Sequence, residues 1–99
     1  MGNPVEAIGK FMKAVERNQP ADRKTRAWVI ADRYGGELGE VLWYSPWRQY
    51  VFKPARDTVF NHECLFELQR FLQRTNAEHS AELRKRQEGI APSRPYAAR

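Results

Sequence analysis

The chain has 99 residues, enough for one small domain with a modest core. Aromatic residues make up 12% of it and charged residues 29%, a balance that favours a packed core over disorder. A single cysteine excludes an internal disulfide and points to a reducing, cytoplasmic setting, and no apolar run reaches the ~18 residues that would suggest a membrane span.

The start, Met1-Gly2-Asn3-Pro4, lacks the basic region and apolar block of a secretory signal. The formal net charge is +5, and its placement is uneven. Residues 27–76 carry six basic and six acidic side chains, whereas residues 1–26 carry six against three and residues 77–99 five against three. The centre is neutral and the flanks are basic. A nucleic-acid contact, if one exists, belongs to those flanks.

At the N-terminus, Asn3 stands at a capping position, Pro4 at the first helical position and Glu6 at the capping-box position. Val5, Ile8, Phe11, Met12 and Val15 then recur at helical spacing, which predicts a helix over 4–18. Pro20 ends it, and the linker 19–26 that follows is solvated and carries Arg23, Lys24 and Arg26.

A three-stranded meander is expected over 27–54. The first strand runs from Ala27 to Tyr34, and Gly35-Gly36 supplies a two-residue turn that would pair Ile30 with Val41 and Trp28 with Trp43. The second turn is Ser45-Pro46-Trp47-Arg48, with Pro46 where its fixed φ fits. It pairs Trp43 with Tyr50, Val41 with Phe52 and Glu40 with Lys53. Both turns put Trp28, Ile30, Val41, Trp43, Tyr50 and Phe52 on one face. Gly39 is a candidate bulge that would shift a register by one. The other face carries Val29, Leu42, Val51 and Tyr44, and the N-terminal helix is expected to cover it. Otherwise that face is an interface.

Asp57-Thr58-Val59-Phe60 is a candidate short fourth strand, and Asn61 caps a second helix over 62–86. Cys64, Leu65, Leu68, Phe71 and Leu72 form its core stripe, with Phe66 on the opposite side. The expected architecture is α+β: an N-terminal helix, the meander, and a C-terminal helix packed on the sheet. Residues 1–88 form the single domain, and 89–99 read as a disordered tail.

Catalytic chemistry finds little support. Cys64 lies in the first turn of the second helix, but His62 points to another side and His79 lies roughly 22 Å further along the axis. No CxxC or HxxxH spacing supports a metal. Glu63 and Glu67 with Arg70 and Arg74 make a solvated, salt-bridged stripe. No glycine-rich loop joins a strand to a helix as a phosphate cradle would. The chain is expected to be neither an enzyme nor a holder of cofactor or metal.

The segment from Gly39 through Trp43-Tyr44-Ser45-Pro46-Trp47-Arg48 to Pro54, followed by Thr58-Val59-Phe60 and Cys64-Leu65, is similar to short uncharacterised proteins of phages, prophages and other mobile elements. The resemblance implies one of two roles, a small inhibitor of a host defence system or an accessory nucleic-acid binder. With the residue reading, it leads to a non-catalytic protein-interaction module as the first expectation, with Tyr44, Trp47, Arg48 and Phe66 as anchors on an unidentified protein partner. The alternative is nucleic-acid binding through Arg23, Lys24 and Arg26 with Arg84, Lys85 and Arg86. A homodimer that buries the second sheet face is a third. No membrane partner is expected.

Overall fold

The structure, a computed structural model, describes residues 4–88. Five antiparallel strands form one sheet in chain order: β1 Val5–Ile8, β2 Met12–Glu16, β3 Ala27–Asp32, β4 Glu37–Tyr44 and β5 Gln49–Pro54. A single helix, α1 His62–Glu88, lies across one face. The protein is α+β with a C-terminal helix on an antiparallel sheet, as the sequence implied. The expected tail, 89–99, lies outside the described residues. No helix among the described residues is long and apolar enough to cross a membrane.

The expected N-terminal helix is absent, and its residues form the β1–β2 hairpin, so the sheet has five strands rather than three. Gly9 explains the change. It takes φ of 63° in the turn between Ile8 and Met12, where glycine escapes the Cβ clash of a left-handed backbone. The apolar residues once assigned to a single helical stripe are divided between two faces. Ile8 and Met12 are buried beneath α1, where Ala14 from outside that stripe joins them, while Val5 pairs across from Val15 on the other side.

The β4–β5 pairing follows the sequence reading: Trp43 opposite Tyr50, Val41 opposite Phe52, Glu40 opposite Lys53. The β3–β4 pairing does not. Trp28 faces Val41 and Ile30 faces Gly39, two residues from the expected register. The Asp32 carboxylate accepts the Tyr34 and Gly36 backbone N–H groups, both at 2.8 Å, and Asp32 N–H donates to the Gly36 carbonyl. That network closes a loop of Arg33, Tyr34 and Gly35 in place of a two-residue turn. A bulge beside Ile30 and Ala31 then completes the shift. Because the net change is two residues, every side chain stays on its expected face.

Gly39 makes this packing possible. Its φ is 156°, and a Cβ there would stand 2.4 Å from the Lys53 carbonyl oxygen and 2.7 Å from the Phe52 ring. The core beneath α1 joins Trp28, Ile30, Val41 and Tyr50 to Leu68 and Phe71. Ile30 and Val41 are 0% exposed. Each such aliphatic side chain contributes roughly 1.5–3 kcal/mol by leaving water. Trp28 meets Tyr50 and Phe71 edge-on at 5.6 and 5.2 Å, the arrangement that ring quadrupoles favour.

Residues 57–60 are not a strand. Asp57 takes φ of 59°, and the Thr58 hydroxyl donates to the Ala55 carbonyl at 2.9 Å. The segment therefore turns out of the sheet toward α1, and Phe60 packs edge-on against Phe52. The Asn61 side chain accepts the Cys64 N–H at 2.8 Å, the cap that the sequence indicated.

Candidate functional site

Among the described residues, only one face of the sheet is covered. On the other, Val15, Val29, Leu42 and Val51 run across β2, β3, β4 and β5, each partly exposed, and no helix or strand among the described residues packs on them. Val5 extends the row at the β1 edge and Tyr44 extends it toward the β4–β5 turn. The N-terminal helix expected to cover this face instead widens it, because its residues became β1 and β2. Charge crosses the middle of this face, because Glu40 on β4 stands directly opposite Val29. Arg17 reaches Glu40 at 2.6 Å, Glu40 pairs across from Lys53, and Lys13 stands on the same face of β2 as Val15.

The β4–β5 turn stands at the rim of this face. Tyr44 and Trp47 meet edge-on with centroids 5.1 Å apart, and Trp47 is 66% exposed. Arg48 closes the turn at φ of 53°, its N–H donating to the Tyr44 carbonyl at 2.9 Å. A side chain in this left-handed conformation costs roughly 1–2 kcal/mol relative to glycine. Trp47 also borders a shallow groove between β5 and α1, where Leu65 and Leu72 are its apolar neighbours.

Phe66 does not join these residues. It lies beside the β1–β2 turn, lining an apolar hollow of about 270 Å³ with Phe11 and the half-buried Cys64, and the Arg70 guanidinium stands 6.0 Å from its ring. The β1–β2 and β4–β5 turns are at opposite ends of the strands. The four expected anchors therefore form a cluster of three and one distant residue.

The basic flanks, remote in sequence, meet in part. Lys24 and Arg26 of the β2–β3 loop and Lys85 of α1 line one groove of about 320 Å³, floored by Trp28, Tyr50 and His79. His79 also meets the Trp43 ring, with centroids 4.5 Å apart and planes tilted by 45°. Glu78 and Glu82 line the same groove, which tempers its charge. Arg26 is further engaged by Glu16 through two hydrogen bonds of 2.8 Å. Those bonds hold the Glu16 carboxyl below the usual carboxylate range. Arg23 and Arg84 are exposed but do not line the groove, and the Arg86 side chain lies outside the described ones.

One residue that sequence reading passed over fixes the β5 edge. The Asn76 carbonyl oxygen accepts the Tyr50 N–H at 2.7 Å, and its amide nitrogen donates to the Tyr50 carbonyl at 3.4 Å. An asparagine in mid-helix gives no local signal of such a role. Among the described residues, no three His, Cys, Asp or Glu side chains gather as a metal site would need. Compared with protein-family models, with curated proteins and with solved structures, the chain matches none.

Proposed function

We propose that this protein is a non-catalytic interaction module that docks a protein on the open face of its sheet. The observation that carries the reading is the set of partly exposed apolar side chains Val5, Val15, Val29, Leu42 and Val51 that no other described element covers, with the Arg17–Glu40 pair reaching across β3 among them. Tyr44 stands on the same face with Trp47 against its ring and Arg48 in the adjoining turn, and aromatic and Arg residues are frequent hot spots. The retention of Arg48 at a positive φ supports a use for its side chain. The resemblance to mobile-element proteins extends this reading to inhibition of a host defence component. Affinity capture with the wild-type protein, Leu42→Glu, Trp47→Ala and Phe66→Ala tests it. Specific capture should be lost with Leu42→Glu, weakened with Trp47→Ala and kept with Phe66→Ala. Equal capture by all four folded proteins would remove the open face from consideration.

Nucleic-acid binding is a second reading, favoured by the meeting of Lys24, Arg26 and Lys85 over an aromatic floor. Fluorescence anisotropy against single-stranded DNA, duplex DNA and RNA across a salt series tests it. A steep loss of affinity with salt, flattened by Lys24→Ala with Lys85→Ala, would support it. No binding at low salt would exclude it.

A further inference from the structure

We infer that the rings of Phe11, Tyr34 and Phe66, with Arg33 among them, bind the unpaired bases of a single-stranded nucleic acid. This site lies at the other end of the strands from the β2–β3 loop. It rests neither on the open sheet face nor on the groove of Lys24 and Lys85.

The β1–β2 turn and the β3–β4 loop lie side by side, because Met12 at the start of β2 stands opposite Asp32 at the end of β3. The Arg33 guanidinium is shared there by two rings, 5.7 Å from the Phe11 centroid and 5.6 Å from that of Tyr34. Phe66 continues the cluster, since it lines the same hollow as Phe11 and has the Arg70 guanidinium 6.0 Å from its ring. Tyr34 is 86% exposed, Phe66 55% and Phe11 47%. Exposed rings beside guanidinium groups suit a ligand with flat π faces and regular negative charge. An unpaired nucleotide strand supplies the two in alternation.

Arg33 is free to meet a phosphate. It has no ion-pair partner among the described residues, and the neighbouring Asp32 carboxylate is taken up by the Tyr34 and Gly36 N–H groups. Gly35 N–H also donates to the Asp32 carbonyl at 3.0 Å. The loop is therefore held in one shape before a ligand arrives, which lowers the ordering cost of binding.

Charge separates a nucleotide strand from a membrane as the occupant. Lys10, Arg33 and Arg70 stand at this end with Asp32, Glu63 and Glu67, three charges of each sign. A bilayer that took in the rings would also take in the Glu63 and Glu67 carboxylates, which line the hollow with Phe11 and Phe66. Bases stack one by one and leave those carboxylates in water. The even balance also makes stacking, rather than phosphate neutralisation, the main source of affinity.

Fluorescence anisotropy of the full chain with a labelled oligothymidylate, and with a duplex of the same length, tests the inference. The single strand should bind at least about tenfold tighter than the duplex, whose bases are already stacked on one another. Log affinity against log salt should fall with a slope near −1, as one or two neutralised phosphates give. Phe11→Ala and Tyr34→Ala should each weaken binding at least about fivefold. The exposure of Tyr34 keeps the test open if Phe11→Ala fails to fold. No binding at low salt, or equal binding to the duplex, would overturn the inference. So would a loss caused by Lys24→Ala with Lys85→Ala but not by Tyr34→Ala, which would move the strand to the groove. Flotation with phosphatidylserine vesicles, abolished by Tyr34→Ala and without strand binding, would give the rings to a membrane and also overturn it.

Discussion

The two faces of the sheet are both apolar, yet they are built differently. β4 supplies both, with Val41 and Trp43 on the helix side and Leu42 and Tyr44 on the other. The helix side is filled by rings that meet edge-on: Trp28 with Tyr50 and Phe71, Trp43 with Tyr50, and Phe52 with Phe60. Its polar groups are satisfied, as where Arg26 N–H donates to the Tyr50 hydroxyl and the Thr75 hydroxyl to the Leu72 carbonyl. The open side has branched aliphatics of modest size, and the Arg17–Glu40 ion pair reaches across β3 among them. Large rings fill the uneven space under a cylinder, while the open side keeps shorter side chains and a charged pair. Hydrophobicity alone does not separate a core from an interface here. Side-chain shape and the position of charge do.

Five substitutions probe this contrast, from the largest effect to the smallest. Gly39→Ala should be the most damaging, because the added carbon meets backbone and a packed ring on the helix side. We expect a loss of about 3–5 kcal/mol in urea unfolding from the combined clash and strain. Ile30→Ala and Val29→Ala then compare adjacent residues of β3 that point to opposite faces. The first should cost about 2–5 kcal/mol, and the second about 1 kcal/mol or less at monomer concentrations. Equal losses would mean that the second face is also covered within one chain.

Asn76→Ala should cost about 1–2 kcal/mol, since it leaves the Tyr50 backbone groups without protein partners. Amide hydrogen exchange should show faster exchange at Tyr50 than at the neighbouring residues that pair with β4. Glu16→Gln should have the smallest effect, at most about 1 kcal/mol near neutrality, because the pair with Arg26 is partly exposed. Its sign with pH is defined. The folded carboxyl titrates below its unfolded value of about 4.3, so the pair's contribution is complete above that value. As pH falls through the lower folded value the contribution disappears. The stability difference between wild type and Glu16→Gln should therefore close in acid, and a gap that widens there would contradict the pairing.

Much of the sheet was legible because two-residue periodicity is strict. The β4–β5 register followed from counting outward from the Pro46 turn, and that count placed Tyr44 beside Leu42 on the open face. The Asn61 cap was equally local. The N-terminal hairpin was not read because Val5, Ile8, Met12 and Val15 satisfy a helical period as well as two short strands. Gly9 alone separates the alternatives, and the helix signals at Asn3, Pro4 and Glu6 point the other way. The β3–β4 register turned on the Asp32 side chain, which chose a longer loop than Gly35-Gly36 suggested. The grouping of Lys24 and Arg26 with Lys85 depends on where α1 crosses the sheet, and no local pattern encodes that. Phe66 was separated from Trp47 for the same reason.

The asparagine that binds Tyr50 has a consequence for growth of the sheet. Ala55 N–H donates to the Leu38 carbonyl, so by alternation Tyr50, Phe52 and Pro54 turn their backbones away from β4. Asn76 occupies the first of these and proline offers no donor at the last, which leaves Phe52 with both groups to give. At the opposite margin, Glu16 N–H donates to the Pro4 carbonyl, and the same alternation leaves Val5 and Ala7 facing outward. A fibre of stacked sheets must add strands at both margins, and among the described residues only β1 offers a run of backbone groups without a strand partner. Lateral pairing through β1 therefore ends at two copies, with a blunted margin at each end.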